Sequence, residues 1–319
     1  MTTQSIWQPL NHDTILNAVE KTLQKKVSNL LLPRNSYINR VYELEEHDNR
    51  ERFIVKFYRP GRWTPEMILE EHQFLNELHE REVPVIPPMT INGKTLFELN
   101  SILYALFPKK GGRALDEFDK DTWLELGRLI ARIHITGAKH QKSNRITWRP
   151  DIATKHHLDV LYSTNYLLPE FKSSFDNIAA QFMRKASPKF DGQEFLLLHG
   201  DCHKGNLIHR PNEGIFIVDF DDICFGPPVQ DLWLLLPDKP ENCEKEMGWL
   251  ISGYELFRDF PRRSLELIPL LQGMRIIHYV SWLAIQSKEA DFEKHFPHAG
   301  TKRYWNELIK ELQEIVYGV

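Results

Sequence analysis

Apolar positions follow two rhythms along this chain. In the first hundred residues they come mostly as short runs at strand spacing. Asn11 to Thr22 is the exception, with Ile15, Leu16, Val19 and Leu23 at helical intervals and Asn11 or Asp13 placed to cap. Val41, Tyr42 and Leu44 then mark a strand, Asp48-Asn49 a turn, and Phe53 to Tyr58 (FIVKFY) a β-branched and aromatic strand around one lysine. Thr64 and Pro65 open a helix carrying Ile68, Leu69, Phe74, Leu75 and Leu78. After the stiff VPVIPP and a turn at Asn92-Gly93, Thr95 to Leu99 and Ile102 to Phe107 read as further strands. Beyond Pro108 and the glycine-bearing KKGGRAL the rhythm is helical: Phe118–Ile135, Ile152–Leu161, Glu170–Met183, Val229–Leu236, Glu246–Phe257, Leu265–Ala284 and Tyr304–Val316. Two apolar runs interrupt it, Phe195 to Leu198 and Ile215 to Val218, read as two short strands with a turn between. The expectation is an α+β, bilobal chain: a small antiparallel-sheet lobe over residues 1–107 with one packed helix, and a mainly helical lobe over 108–319.

Composition narrows the function. The 319 residues carry a formal net charge of -4 and 42% hydrophobic residues, enough for a substantial core and no general argument for nucleic acid or a membrane as partner. Three scattered cysteines make neither a disulfide framework nor a structural zinc site. The first residues lack a basic stretch followed by an apolar run, and no apolar run reaches the ~18 residues of a membrane span, so the expected location is the cytoplasm.

The candidate chemistry gathers in EFLLLHGDCHKGNLIHRPNEGIFIVDFDDICFGPPVQDL. Asp201 follows the first apolar run and a glycine, where a carboxylate can take the proton of an attacking hydroxyl or orient it. Asn206 offers a neutral oxygen to a metal and an amide proton to Asp201. Asp219 ends an apolar strand, where a carboxylate is costly without a cation, and Mg²⁺ bridging phosphate oxygens would supply one. Each residue alone has an ordinary reading as a turn or cap; the spacing of all three does not. Upstream, Lys56 on its strand is either an exposed lysine or an ammonium reaching nucleotide phosphates. Glu71, in preference to Glu70, is placed to pair with it. Backbone groups around Leu106 and Phe107, where the lobes join, can pair with the edge of a purine. Asp221 is read as an anchor behind Asp219, Asp231 as structural, and His199 as a brace for its loop.

HGDCHKGN followed by VDFDD resembles the phosphotransferase signature shared by aminoglycoside, choline and homoserine kinases, relatives of the protein-kinase fold. NSYINRVY, VKFYRPGRWT with ILEEHQF, FPKKGGR and GPPVQDLW are similar to a bacterial protein serine/threonine kinase within that family, and the likeness runs from about Pro9 to the last helix. The resemblance implies a bilobal protein-kinase-like fold with ATP and Mg²⁺ as cofactors. It implies Asp201 as catalytic aspartate, Asp219 as both catalytic and metal-binding, and Asn206 as the second metal ligand. Lys56, paired with Glu71, would touch the α- and β-phosphates, and Ser36 would lie near ATP in the loop between the first two strands. The implied activity is transfer of the γ-phosphoryl group to a protein hydroxyl, by a monomer serving a stress response. The alternative is a small-molecule hydroxyl kinase, for which Trp233, Tyr279, Trp282 and the acids near Glu289 could form a cage. The covering loop RNSYINRV has no glycine, leaving Ser36 and Asn39 as substitute donors to phosphate. Asp219-Phe220-Asp221 stands where kinases carry aspartate-phenylalanine-glycine.

Overall fold

The computed structural model describes residues 6–115, 117–289 and 291–318. Helix α1 (His12–Leu23) starts on a reciprocal cap: the Asn11 side chain accepts from the Thr14 N–H, and the Thr14 hydroxyl oxygen accepts from the Asn11 N–H. Next come β1 (Leu32–Arg34), β2 (Arg40–Glu45), β3 (Arg52–Phe57), α2 (Pro65–Glu80), β4 (Phe97–Leu99) and β5 (Ile102–Pro108). The strands form one antiparallel sheet in the order β1-β2-β3-β5-β4. Alternation along β3 sets the function of its lysine. Phe53, Val55 and Phe57 are buried in a core with Ile15 and Val19 of α1, so Lys56 must face the other side. Thr64 caps α2 and Pro65 is its first residue. Helix α2 serves both halves of the molecule. Its Ile68 packs with Tyr58 and Ala105 on the sheet, whereas Phe74, Leu75 and Leu78 enter the large core of the helical half.

The helical half contains β6 (Arg113–Ala114), α3 (Lys120–Gly137), α4 (Lys155–Tyr162), α5 (Pro169–Ala186), β7 (Leu196–Leu198), β8 (Leu207–Arg210), β9 (Gly214–Ile217) and β10 (Cys224–Gly226). After them come α6 (Gln230–Trp233), α7 (Glu244–Tyr254), α8 (Ile268–Gln286), α9 (Phe292–His295) and α10 (Lys302–Tyr317). Helices α3 and α7 cross with backbones touching. A Cβ on Gly127 would stand 2.1 Å from the Leu250 carbonyl oxygen, and one on Gly253 would stand 2.1 Å from that of Leu124. This close crossing aligns His134 of α3 with Tyr254 of α7. No helix among the described residues is long and apolar enough to cross a membrane.

Two expectations are corrected. The apolar runs at 195–198 and 215–218 are both strands, as expected, but more than a turn separates them: a 3-10 turn and a further strand, β8, lie between. β7 pairs with β10, and β9 pairs with β8, which itself pairs with β6. β8 was missed because only Leu207 of it is buried, so it shows no apolar run. The helix expected over Val229–Leu236 is a single turn, Gln230–Trp233. Pro237 disfavours the helical conformation of Leu236 and ends it early.

Candidate active site

Asp201 leaves β7 through His199 and Gly200. Gly200 has φ +84, and a Cβ there would meet the Asp222 carbonyl oxygen at 2.1 Å, so only glycine lets this loop close against the Asp219 loop. Both loops are pinned from beneath. Asp231 accepts from the N–H groups of His199 and Gly200, each at 2.9 Å, and faces His134 Nε2 at 3.1 Å. His134 Nδ1 in turn meets the Tyr254 hydroxyl at 3.0 Å, and burial pushes its pKa down, so a neutral ring donates to Asp231 and accepts from Tyr254. His199 Nε2 donates to the Val218 carbonyl at 2.9 Å, and its Nδ1 accepts from the Asp201 N–H at 3.3 Å. Asp231 and His199 thus hold structure, and Asp201 is held out toward solvent with its side chain 27% exposed. Asp201 Oδ1 accepts from Arg275 Nη1 at 2.9 Å, and Oδ2 lies 3.3 Å from His203 Nε2. Burial resists ionisation of Asp201, but His203 and Arg275 outweigh it and hold the carboxyl well below the ordinary range.

Asn206 is buried in a short 3-10 turn. Its Nδ2 donates to the Asp201 backbone carbonyl at 3.0 Å, not to the carboxylate, which leaves the amide oxygen as the atom available to a cation. Its own carbonyl accepts from the Val218 N–H at 2.9 Å and so couples the Asn206 turn to the strand that delivers Asp219. Asp219 sits at φ 65, in the left-handed region that a non-glycine residue rarely adopts without support, and its side chain is 56% exposed. Its pKa is raised, first by the low-dielectric cleft and then by the charge of Asp221, with Lys56 acting against both. An exposed carboxylate crowded by acids, beside a committed amide, fits a hard cation whose remaining ligands come from phosphate and water. Among the described residues no cluster of three His, Cys, Asp or Glu side chains forms a complete protein cage for a metal.

Lys56 joins the two halves. Its Nζ is ion-paired with Asp221, lies 3.5 Å from Asp219 Oδ1 and 3.9 Å from Glu71 Oε1, and its pKa is raised because these acids outweigh burial. The expected Lys56–Glu71 pair is therefore the longest of three. Glu71 has a second partner absent from the sequence reading: Arg145 Nη2, at 3.4 Å. Arg145 is buried, stacks at 4.2 Å on Trp63, and donates to the carbonyls of Met67 and Asp221. Burial pushes the Glu71 carboxyl upward against the pull of Lys56. Glu70 instead accepts from the Asn144 N–H. Asn39, expected to face phosphate, is buried with Nδ2 committed to Asp221 at 2.5 Å. Asp221 also attracts Arg62, which holds Asp222 through two contacts at 2.7 and 2.9 Å.

Ser36 lies in the five-residue loop between β1 and β2, and its Oγ accepts from the Asn39 N–H. A cavity of about 700 Å³ is lined by Ser36, Asp201, Asp219 and Arg275, with Trp148 and Trp282 on its walls. Lys56, Glu71 and Asn206 adjoin this space from behind, and Leu106 and Phe107 stay outside its lining. The Leu106 carbonyl already accepts from the Met89 N–H at 2.7 Å, and Phe107 faces Ile54 in the sheet register, so the purine-pairing edge expected at Leu106 is engaged by the protein itself.

Comparison with known proteins identifies the family. The model of the phosphotransferase enzyme family matches residues 30–259. The chain is 37% identical over 305 residues to stress response kinase A of Escherichia coli strain K12, covering 94% of this chain and 90% of that protein. It is equally similar, with the same coverage, to serine/threonine protein kinase RdoA of Salmonella typhimurium. Among solved structures, amicoumacin kinase hAmiN superposes with a TM-score of 0.77 at 18% identity, covering 100% of this chain and 97% of that one. Choline kinase LicA from Streptococcus pneumoniae superposes at 0.67 and 16%, covering 95% and 99%. These likenesses establish a kinase-like phosphotransferase fold, α+β with an antiparallel sheet in the N-terminal half, and the chain belongs to the phosphotransferase enzyme family.

Proposed function

We propose that this chain is a serine/threonine protein kinase that transfers the γ-phosphoryl group of ATP to a protein hydroxyl. The observation that carries this reading is the identity of 37% across nearly the whole chain to a relative named serine/threonine protein kinase RdoA, matched by the same identity to one named stress response kinase A. The site is consistent with it. Asp201 is ionised, part-exposed and held by a braced loop, as a group receiving a hydroxyl proton needs to be. The acceptor oxygen bonds to the γ-phosphorus, the bond to the β,γ-bridging oxygen breaks with its electron pair leaving on ADP, and the hydroxyl proton passes to Asp201. Lys56 steadies the α- and β-phosphates from the sheet side, and Ser36 covers them from the loop. Asp219 and the Asn206 amide oxygen would hold Mg²⁺, which would supply charge neutralisation to the phosphates. We read the protein further as a cytoplasmic monomer serving a stress response, with neither nucleic acid nor membrane as partner.

One observation favours a small-hydroxyl acceptor instead. From Asp219 to Asp231 the chain contains only a 3-10 turn, β10 and the start of α6, which leaves little loop to dock a peptide. The deciding experiment incubates the chain with Mg²⁺ and γ-labelled ATP, cell extract and a panel of small alcohols. Label in phosphoserine or phosphothreonine is expected. Label confined to a small molecule overturns the protein acceptor and leaves the phosphotransferase intact.

A further inference from the structure

We propose that Arg275 selects the acceptor: it rests on Asp201 and yields that carboxylate to a hydroxyl that brings an anionic group with it. This rests on the kinase reading above. Both oxygens of Asp201 are occupied, one by Arg275 Nη1 at 2.9 Å and the other by His203 Nε2 at 3.3 Å. An incoming hydroxyl must share these oxygens with Arg275 and His203 or displace one of them, and a bulky acceptor approaching from the α8 side meets Arg275 first. The cations on the sheet side have other work: Lys56, Arg62 and Arg145 are ion-paired with Asp219, Asp221, Asp222 and Glu71. Arg275 projects from α8 on the opposite side, its side chain 39% exposed, with room to swing.

Its position is that of a gatepost. Arg275 lines the cavity holding Asp201, and it also lines a second space of about 1120 Å³ bordered by α5, α8 and α10. Tyr279, one turn further along α8, does the same. An acceptor reaching Asp201 across this surface passes the guanidinium. A neutral acceptor offers Arg275 nothing in exchange for its charge-assisted bond, whereas a carboxylate or phosphate offers a two-pronged replacement. Loss of such a bond corresponds to about 10- to 100-fold in discrimination. A cationic acceptor is disfavoured on the same ground. Tyr279 and Trp282 stack on each other at 5.7 Å rather than facing a cation from two sides, and Glu289, which could add charge there, is ion-paired with Arg59.

The test compares serine peptides carrying Asp, Asn or Lys at each position flanking the serine, with wild type, Arg275→Gln and Arg275→Glu. Wild type is expected to prefer Asp over Asn at one or more positions by about 10-fold or more in kcat/KM. Arg275→Gln should bring that ratio near one, and Arg275→Glu should turn it toward Lys. Melting temperatures confirm that the variants fold. A uniform fall for all peptides with the ratio unchanged overturns the proposal and places Arg275 on the transferred phosphoryl group. Peptide transfer without charge preference overturns it while the protein-kinase reading stands. Glycerol and glycerol 1-phosphate form a parallel pair. If only these are phosphorylated, the protein acceptor falls, and an Arg275-dependent preference for the phosphorylated member still supports the selection. Transfer to none of the probes ends both.

Discussion

Two carboxylates across the cleft, Asp221 and Asp201, are each met by cations, yet they are built for opposite ends. Asp221 is buried with donors on both oxygens, Lys56 on one and Asn39 on the other, and Arg62 lies nearby at 3.6 Å. All these partners come from the first 62 residues, so Asp221 ties the sheet half to the helical half. Asp201 is about a quarter exposed, and its partners Arg275 and His203 are themselves more than a third exposed. A buried pair whose every contact is protein is hard to exchange, because removing one partner strands a charge in a low dielectric. A part-exposed pair can trade its partner for substrate or water at modest cost. The contrast separates a joint from a reacting group using the same residue types.

The sharpest way to break this contrast is to remove the reacting carboxylate. Asp201→Asn keeps the shape and should lower phosphoryl transfer by about 10²- to 10⁴-fold while the melting temperature and ATP affinity stay close to wild type. Near-normal transfer in this variant would take Asp201 out of the chemistry.

Next in size is a break on the joint. Arg145→Met removes the guanidinium that stacks on Trp63, bonds two carbonyls and faces Glu71. The expected loss in urea unfolding is about 3 kcal/mol, the low end for a broken buried pair, because burial already favours the protonated form of Glu71. Adding Glu71→Gln should recover part of it. A loss below about 1 kcal/mol, the size of an exposed pair, would show that the joint is no more closed than the catalytic side.

These residues also mark where the sequence could and could not be read. The Asn11 and Thr64 caps, most long helices and four of the five strands of the sheet half follow from local periodicity, and so does the placing of Asp201, Asn206 and Asp219 around one pair of loops; β1 is exposed throughout and carries no such pattern. Arg145 and Arg275 carried no such signal. Each meets its acid from 74 residues away, Arg145 at Glu71 and Arg275 at Asp201, so no window along the chain contains both partners. Asn39 had a polar side chain in the covering loop, which suggested phosphate; only the third dimension brings Asp221, 182 residues on, within reach of it. The strands β6, β8 and β10 are two to four residues long and largely lack apolar runs, so their pairing was visible only in the fold.

The smallest expected effect probes the open side directly. His203 has its pKa raised above 6.5, first by its bond to Asp201 and against the opposing cost of burial, while Arg275 also pulls it down. A raised folded-state value means that the pair stabilises the protein fully below pH 6.5 and that this contribution fades as pH climbs through the folded midpoint. The ring is 38% exposed, so the contribution to stability stays under about 1 kcal/mol. Its Nδ1 also accepts from the Gly205 N–H at 3.0 Å, a bond that protonation would forfeit, and this limits the rise. Ring-proton NMR should place the wild-type midpoint above 6.5. Asp201→Asn should lower it, and Arg275→Gln should lift it further. A midpoint at or below 6.5 in the wild type would mean that His203 does not hold Asp201, leaving Arg275 as the cation that an acceptor meets there.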